Sequence, residues 1–168
     1  MFDKISHNFF LDSNSNLEIS LETGHLARLS DSSVVLSIGD LKILACVVCE
    51  KSIKSDIDFF PLTVEYRENY SAIEKIPGGF VKREGKPSDR EILISRLVDR
   101  SIRPLFPSWY RQAIQINISL LSFDLNINPD QFAVFAASSA LMICPFVPFF
   151  DPVSQSRVVK YENKIFAT

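Results

Sequence analysis

From Phe132 to Phe150 the chain carries no charged side chain. A run this apolar has to be hidden from water, either in a bilayer or in a protein core. Pro145 and Pro148 interrupt it, and Ser138 and Ser139 sit in its middle. The unbroken part before Pro145 has the length of a buried core helix, short of a bilayer span. Its start is marked by Asn128-Pro129-Asp130-Gln131, which reads as an N-cap, a proline at the first helical position and a glutamine at N3. Ala136, Ala137, Ser138, Ser139 and Ala140 then leave room for the helix to lie close against a sheet. Such a helix needs a broad apolar surface to cover it, and 168 residues suffice for one domain that supplies it.

The rest of the chain supplies the strands. Leu17 to Leu21 alternates apolar and polar residues before a turn at Glu22-Thr23-Gly24. Val34, Leu36 and Ile38 alternate again, Gly39-Asp40 turns, and Leu41 to Val48 is nearly continuous aliphatic sequence, as in a central strand. Together these predict a hairpin within a meander. Phe59 to Tyr66 reads as a strand that Pro61 pushes to an edge or a bulge. Ile114, Ile116, Ile118 and Leu120 form the cleanest period-two pattern, and Val158 to Phe166 reads as a hairpin turning at Glu162-Asn163-Lys164. Between strands, Ser88 and Glu91 make a capping box after Pro87, predicting a helix from Asp89 to Ile102 that stops near Pro104. Residues 67 to 87, with Gly78, Gly79 and Gly85 among charges, read as a long exposed loop. The order predicts a two-layer α+β domain with a sheet packed against helices.

Several chemistries are absent or weakly signalled. Cys46 and Cys49 have CxxC spacing, but residues three apart on a strand face opposite ways, so the two thiols cannot meet and read as structural. With Cys144 the cysteine count is odd, and Met1-Phe2-Asp3-Lys4 is not followed by an apolar signal segment. Both fit a reducing, cytoplasmic protein. His7 and His25 stand alone, and Asp56 and Asp58 read as a solvated strand edge rather than a cation site. No phosphate-binding glycine loop or nucleophile elbow is present.

Charge is distributed unevenly. The formal net charge of −2 argues against a globally cationic nucleic-acid binder. Yet Glu74 to Arg111 holds nine basic and five acidic residues, a local balance of +4 that leaves −6 for the remainder. Arg96, Arg100 and Arg103 follow i, i+4, i+7 spacing and share one helix face, with Leu93, Ile94, Leu97, Val98 and Ile102 expected on the other. Aligned arginines repel unless an anion lies among them. Asp89 and Asp99 could serve, and so could phosphodiesters, whose oxygens match guanidinium forks. In the preceding loop Phe80 stands beside Lys82 and Arg83 on glycine-flanked backbone. An aromatic that can stack on an unpaired base, next to cations that hold phosphates, fits single-stranded nucleic acid, whereas a solvated loop is the plain alternative.

Longer segments carry a resemblance. Ser20-Leu21-Glu22-Thr23-Gly24, Phe59-Phe60-Pro61-Leu62-Thr63-Val64-Glu65-Tyr66, Ile76-Pro77-Gly78-Gly79-Phe80 and Lys82 to Ser88 resemble bacterial polynucleotide phosphorylases. So do Ser95 to Arg100, Ile102-Arg103-Pro104-Leu105-Phe106-Pro107 and Ala136 to Leu141. The resemblance implies that residues 1–168 are the first ribonuclease PH-like core domain (ribosomal protein S5 domain 2-like), with a mixed sheet, incomplete at its C-terminus. A second core domain, a helical domain and KH and OB-fold RNA-binding domains would lie outside it. It further implies a homotrimeric ring that degrades single-stranded RNA such as mRNA from the 3′ end. Inorganic phosphate is then the co-substrate, nucleoside diphosphates the products, and other RNA-degradation proteins the partners, with no membrane involved. Magnesium and phosphate would belong to the second core, so no catalytic or metal residue is expected in this chain. The RNA-binding residues implied here are Phe80, Lys82, Arg83, Arg96, Arg100 and Arg103. Val81 stands where the family has a second aromatic, Lys82 where it has arginine, Ser101 where it often has proline and Glu74 where it often has glycine. Two alternatives remain: a non-catalytic RNA-binding or ring-assembly fragment, and a stand-alone tRNA-processing ribonuclease PH.

Overall fold

A computed structural model describes residues 3–10, 17–51, 57–162 and 164–167. The strands are β1 (Ile5–Phe10), β2 (Glu18–Thr23), β3 (Ser32–Ile38), β4 (Leu41–Cys49), β5 (Leu62–Glu68), β6 (Ile114–Ser122), β7 (Val158–Tyr161) and β8 (Lys164–Ala167). The helices are α1 (Asp89–Ile102) and α2 (Pro129–Met142), with single 3-10 turns at Tyr70–Ile73 and Arg103–Leu105. Six strands form one sheet in the order β1-β2-β3-β4-β6-β5. Neighbours are antiparallel except β5 and β6, which run parallel because α1 carries the chain back between them. The sheet is therefore mixed, and both helices pack on one face of it as a two-layer α+β domain.

Register explains the core. Leu36 pairs with Ile43, Ile43 with Leu120, and Val64 with Ile116, so one set of alternating side chains faces the helices. Ile38, Leu41, Ile43, Val47, Ile116 and Ile118 are buried there. Against them lies α2, whose Ala133, Ala136, Ala137 and Ala140 are completely buried. The two serines of this uncharged helix are satisfied: Ser138 Oγ accepts from the Val153 N–H at 2.8 Å, and Ser139 Oγ donates to the Phe135 carbonyl at 2.8 Å. Asn128 occupies the N-cap, but its side chain makes no capping bond, and α2 stops at Met142, ahead of Pro145. Among the described residues no helix is long and apolar enough to cross a membrane.

Several boundaries differ from the sequence reading. β2 runs on through Glu22, which pairs with Val35, and Thr23, so the turn expected at Glu22-Thr23-Gly24 begins only at Gly24. The strand expected from Phe59 starts only at Leu62, because Pro61 has no N–H to donate; its carbonyl accepts from the Ile114 N–H instead. Arg67 and Glu68 extend β5, and Tyr70–Ile73 coils into a 3-10 turn, so the exposed loop is shorter than 67–87. Asp58 lies exposed outside any strand, and Asp56 and Asn163 lie outside the described residues. The β7–β8 hairpin forms as expected but is separate from the main sheet.

Helix α1 lies along the edge strand β5 and is bonded to its backbone. Ser88 and Glu91 form the capping box, and the Glu91 carboxylate does more: Oε2 accepts from the Ser88 N–H at 2.6 Å and Oε1 from the Glu68 N–H at 2.8 Å. Ser95 Oγ accepts from the Tyr66 N–H at 2.9 Å. Burial alone would raise the Glu91 pKa, but the Glu68 and Ser88 N–H groups, the Ser88 hydroxyl and the charge of Arg67 together hold it below its ordinary value. A carboxylate so lowered contributes stability above the unfolded value, about 4.3, and loses it as pH falls through the folded value. Glu91→Ala should lower the unfolding free energy by about 1–3 kcal/mol near neutral pH, read by urea denaturation. The gap between wild type and variant should close on acidification to about pH 3; a constant gap would show that packing, not charge, is at stake.

Candidate RNA-contacting loop and helix face

The capping interactions position the loop that carries Phe80. Its stems are held at Glu68 and Ser88 by the one carboxylate of Glu91, and Glu84 Oε1 accepts from the Tyr70 N–H at 2.8 Å, folding the returning strand of the loop back on the first. Beyond these ties the tip is open. Gly79 has φ +85°, and Lys82 adopts a left-handed φ of +49°. Phe80 is fully exposed, Val81 about two-thirds exposed at 68%, and Lys82 and Arg83 are exposed with no ion pair or hydrogen bond to a described residue. A bare aromatic costs solvation that a stacked base would recover, and the two cations beside it are free to meet phosphate. Glu74, standing where glycine is common in the family of the resemblance, has φ +56° and closes the 3-10 turn by donating its N–H to Ser71 and Tyr70. Its left-handed backbone is the physical reason glycine suits that place.

On α1 the structure corrects one expectation. Ile94, Val98 and Ile102 are buried, but Leu93 and Leu97 are 64% and 38% exposed. At 3.6 residues per turn Leu93 lies only about 60° from Arg96, so it flanks the arginines instead of opposing them. Arg96, Leu97, Arg100 and Leu93 form one shallow surface. Arg96 also borders a hollow of about 270 Å³ between α1 and β5, which includes Pro87 at the end of the loop. Neither Arg96 nor Arg100 bonds to a described residue.

Arg103 behaves differently, and sequence reasoning missed why. Its Nε and Nη2 grip Asp99 at 3.1 and 2.6 Å, Nη1 donates to the Phe60 carbonyl at 2.8 Å, and Nη2 also reaches the Leu62 carbonyl at 3.1 Å. The guanidinium lies 5.7 Å from the Phe60 ring centre. This arginine fastens the end of α1 to the start of β5. The signal was the i, i+4 spacing of Asp99 and Arg103 just ahead of a proline. Asp99 is thereby taken by Arg103, and Asp89 is exposed, so neither acid neutralises Arg96 or Arg100. Likewise Arg90 pairs with Glu68 at 3.1 Å.

Other candidates fall away from this surface. His7 stacks on Phe9, with ring centres 6.2 Å apart, and His25 is exposed. Cys49 faces the core and Cys46 the opposite side of the sheet, as their spacing required. Among the described residues no group of three His, Cys, Asp or Glu is placed to hold a metal. The three arginines should separate by stability. Arg103→Ala is expected to cost about 1–2 kcal/mol in urea unfolding, whereas Arg96→Ala and Arg100→Ala should each stay within about 0.5 kcal/mol. Equal losses at all three positions would refute this division.

Residues 17–146 match the family described as the 3′ exoribonuclease family, domain 1. The polyribonucleotide nucleotidyltransferase of Amoebophilus asiaticus is 52% identical over 147 residues, covering 88% of this chain and 20% of that protein. That of Karelsulcia muelleri is 50% identical over 159 residues, covering 95% and 21%. The chain thus spans about a fifth of the length of these relatives. Among solved structures, rice (Oryza sativa) Rrp46 matches with a TM-score of 0.65 at 12% identity, covering 89% of this chain and 66% of that one. A chain of the Archaeoglobus fulgidus exosome, solved with RNA bound to its active site, also matches at 0.65, with 17% identity, 99% of this chain and 65% of that one. At such identities these structures establish the fold, which is ribonuclease PH-like. The chain belongs to the 3′ exoribonuclease family, domain 1, as an N-terminal core segment of the polyribonucleotide nucleotidyltransferase kind.

Proposed function

We propose that this segment guides single-stranded RNA in a phosphorolytic 3′-to-5′ exoribonuclease and helps to assemble its trimeric ring. The observation that carries the reading is the loop tip, where fully exposed Phe80 stands next to Lys82 and Arg83, which have no partner among the described residues, on stems held by Glu91. Phe80 stacks on a base, Lys82 and Arg83 hold the flanking phosphates, and Arg96 and Arg100 extend the cationic track along α1. Arg103 serves this surface by positioning α1, since four of the five N–H donors of a guanidinium are already engaged. With Val81 in place of a second aromatic, one stacking platform remains. Phosphate attack on the terminal phosphodiester, and the magnesium that assists it, are assigned to sequence outside this segment. The names of the relatives support a polyribonucleotide as the substrate class.

Binding of a fluorescent single-stranded oligoribonucleotide, titrated across salt concentrations, tests the reading. Phe80→Ala should weaken binding by about 1–3 kcal/mol, roughly 5- to 150-fold. The double variant Lys82→Ala/Arg83→Ala should flatten the salt slope by about 1.4, at roughly 0.7 per lost phosphate contact. Unchanged affinity and slope would reject the loop as an RNA contact. Release of nucleoside diphosphates from RNA and phosphate by this chain alone would reject the placement of the chemistry elsewhere.

A further inference from the structure

Cys49 and Cys144 are 95 residues apart in sequence, yet their sulfurs lie 3.7 Å apart in the core. Cys49 ends β4 and Cys144 follows α2 by two residues, so a bond between them would tie the sheet to the helix layer. The site is buried but not sealed. Cys144 lines an open groove of about 750 Å³ whose walls include Trp109, Phe146 and Phe150, all largely exposed. Cys144 is itself only 4% exposed, and the groove is the side from which a disulfide reagent would approach it. No described His, Asp or Glu completes a metal ligand set with the two sulfurs. Cys46, half-buried on the opposite face of β4, is out of reach of both.

We propose that Cys49 and Cys144 form a redox-active dithiol, which glutathione disulfide entering the aromatic groove converts to an internal disulfide. Cys144 sulfur, as thiolate, attacks one sulfur of glutathione disulfide. A mixed disulfide forms, and the departing glutathione thiolate takes up the proton that Cys144 released. Cys49 sulfur then attacks Sγ of Cys144, and the second glutathione leaves with the Cys49 proton. Two protein thiols are oxidised by two electrons, and one glutathione disulfide is reduced to two glutathiones. The sulfurs close from 3.7 Å to the roughly 2.05 Å of a disulfide. The order of attack follows the environment. Either sulfur can donate the hydrogen bond that joins them, and Cys144 lines the groove whereas Cys49 does not, so an entering disulfide meets Cys144 first.

The chain, folded and without denaturant, is incubated with glutathione disulfide, quenched with an alkylating agent, and examined by intact mass and peptide mapping. The expected result is loss of two of the three free thiols, with a Cys49–Cys144 cross-linked peptide and no change at Cys46. Thermal unfolding of the oxidised chain should shift upward, and dithiothreitol should reverse both changes. Cys46→Ser should behave as wild type, and Cys144→Ser should leave Cys49 free. Persistence of all three thiols would overturn the proposal, as would a Cys46–Cys49 link, a stable mixed disulfide without closure, or intermolecular dimers. Because the wild-type map alone decides, a variant that fails to fold does not weaken the test.

Discussion

The alignment of α1 with the edge strand β5 is the constraint on which the arginine-bearing surface and the Phe80 loop rest. An edge strand presents unpaired N–H and C=O groups, and here one helix supplies partners for several of them. Glu91 takes the Glu68 N–H, Ser95 takes the Tyr66 N–H, and Arg103 gives hydrogen bonds to the carbonyls of Leu62 and Phe60. The contacts descend the strand as the helix runs the opposite way. They leave the helix no freedom to slide, because each bond fixes a register. Glu91 is the most exacting of them, since a buried carboxylate is tolerated only when its charge is met by donors, and both of its oxygens are so met.

That clamp gives the loop two different characters. Its stems at Glu68 and Ser88 are tied to one side chain, while its tip makes no comparable contacts. The stems are thereby fixed relative to α1, and the exposed tip is held only through them. The same helix displays Arg96 and Arg100, without partners among the described residues, beside exposed Leu93 and Leu97, which gives the surface both apolar and cationic character.

The sheet also separates two regions. Glu68, at the loop end of β5, pairs with Leu120, whereas Leu62, at the other end, pairs with Ile114, which in turn pairs with Cys49. The loop and the cysteine pair therefore lie toward opposite ends of the same strands, about 20 Å apart at 3.3 Å per residue. Between them the core is continuous, with α2 seated on alanines that allow close approach of helix and sheet.

Local pattern was enough to read most of the elements. The two-residue alternation from Ile114, the capping box at Ser88 and the proline at Pro129 are short-range signals with short-range causes, and the strands and helices follow them closely. The charge concentration and the glycine-flanked Phe80 were equally legible, because exposure and flexibility at a loop tip need no distant partner. What sequence could not determine was which residues meet across the fold. Arg103 shared a helical spacing with Arg96 and Arg100, but only packing beside Phe60 and Leu62 turned it into a fastening. Leu93 and Leu97 fit an apolar arc by spacing, but packing leaves them exposed beside Arg96 and Arg100. Cys49 was separable from Cys46 by strand geometry alone, whereas its meeting with Cys144 depended on where α2 ends above β4. Periodicity describes one element at a time. Pairing between elements is decided by how their faces pack, and that is a property of the tertiary structure.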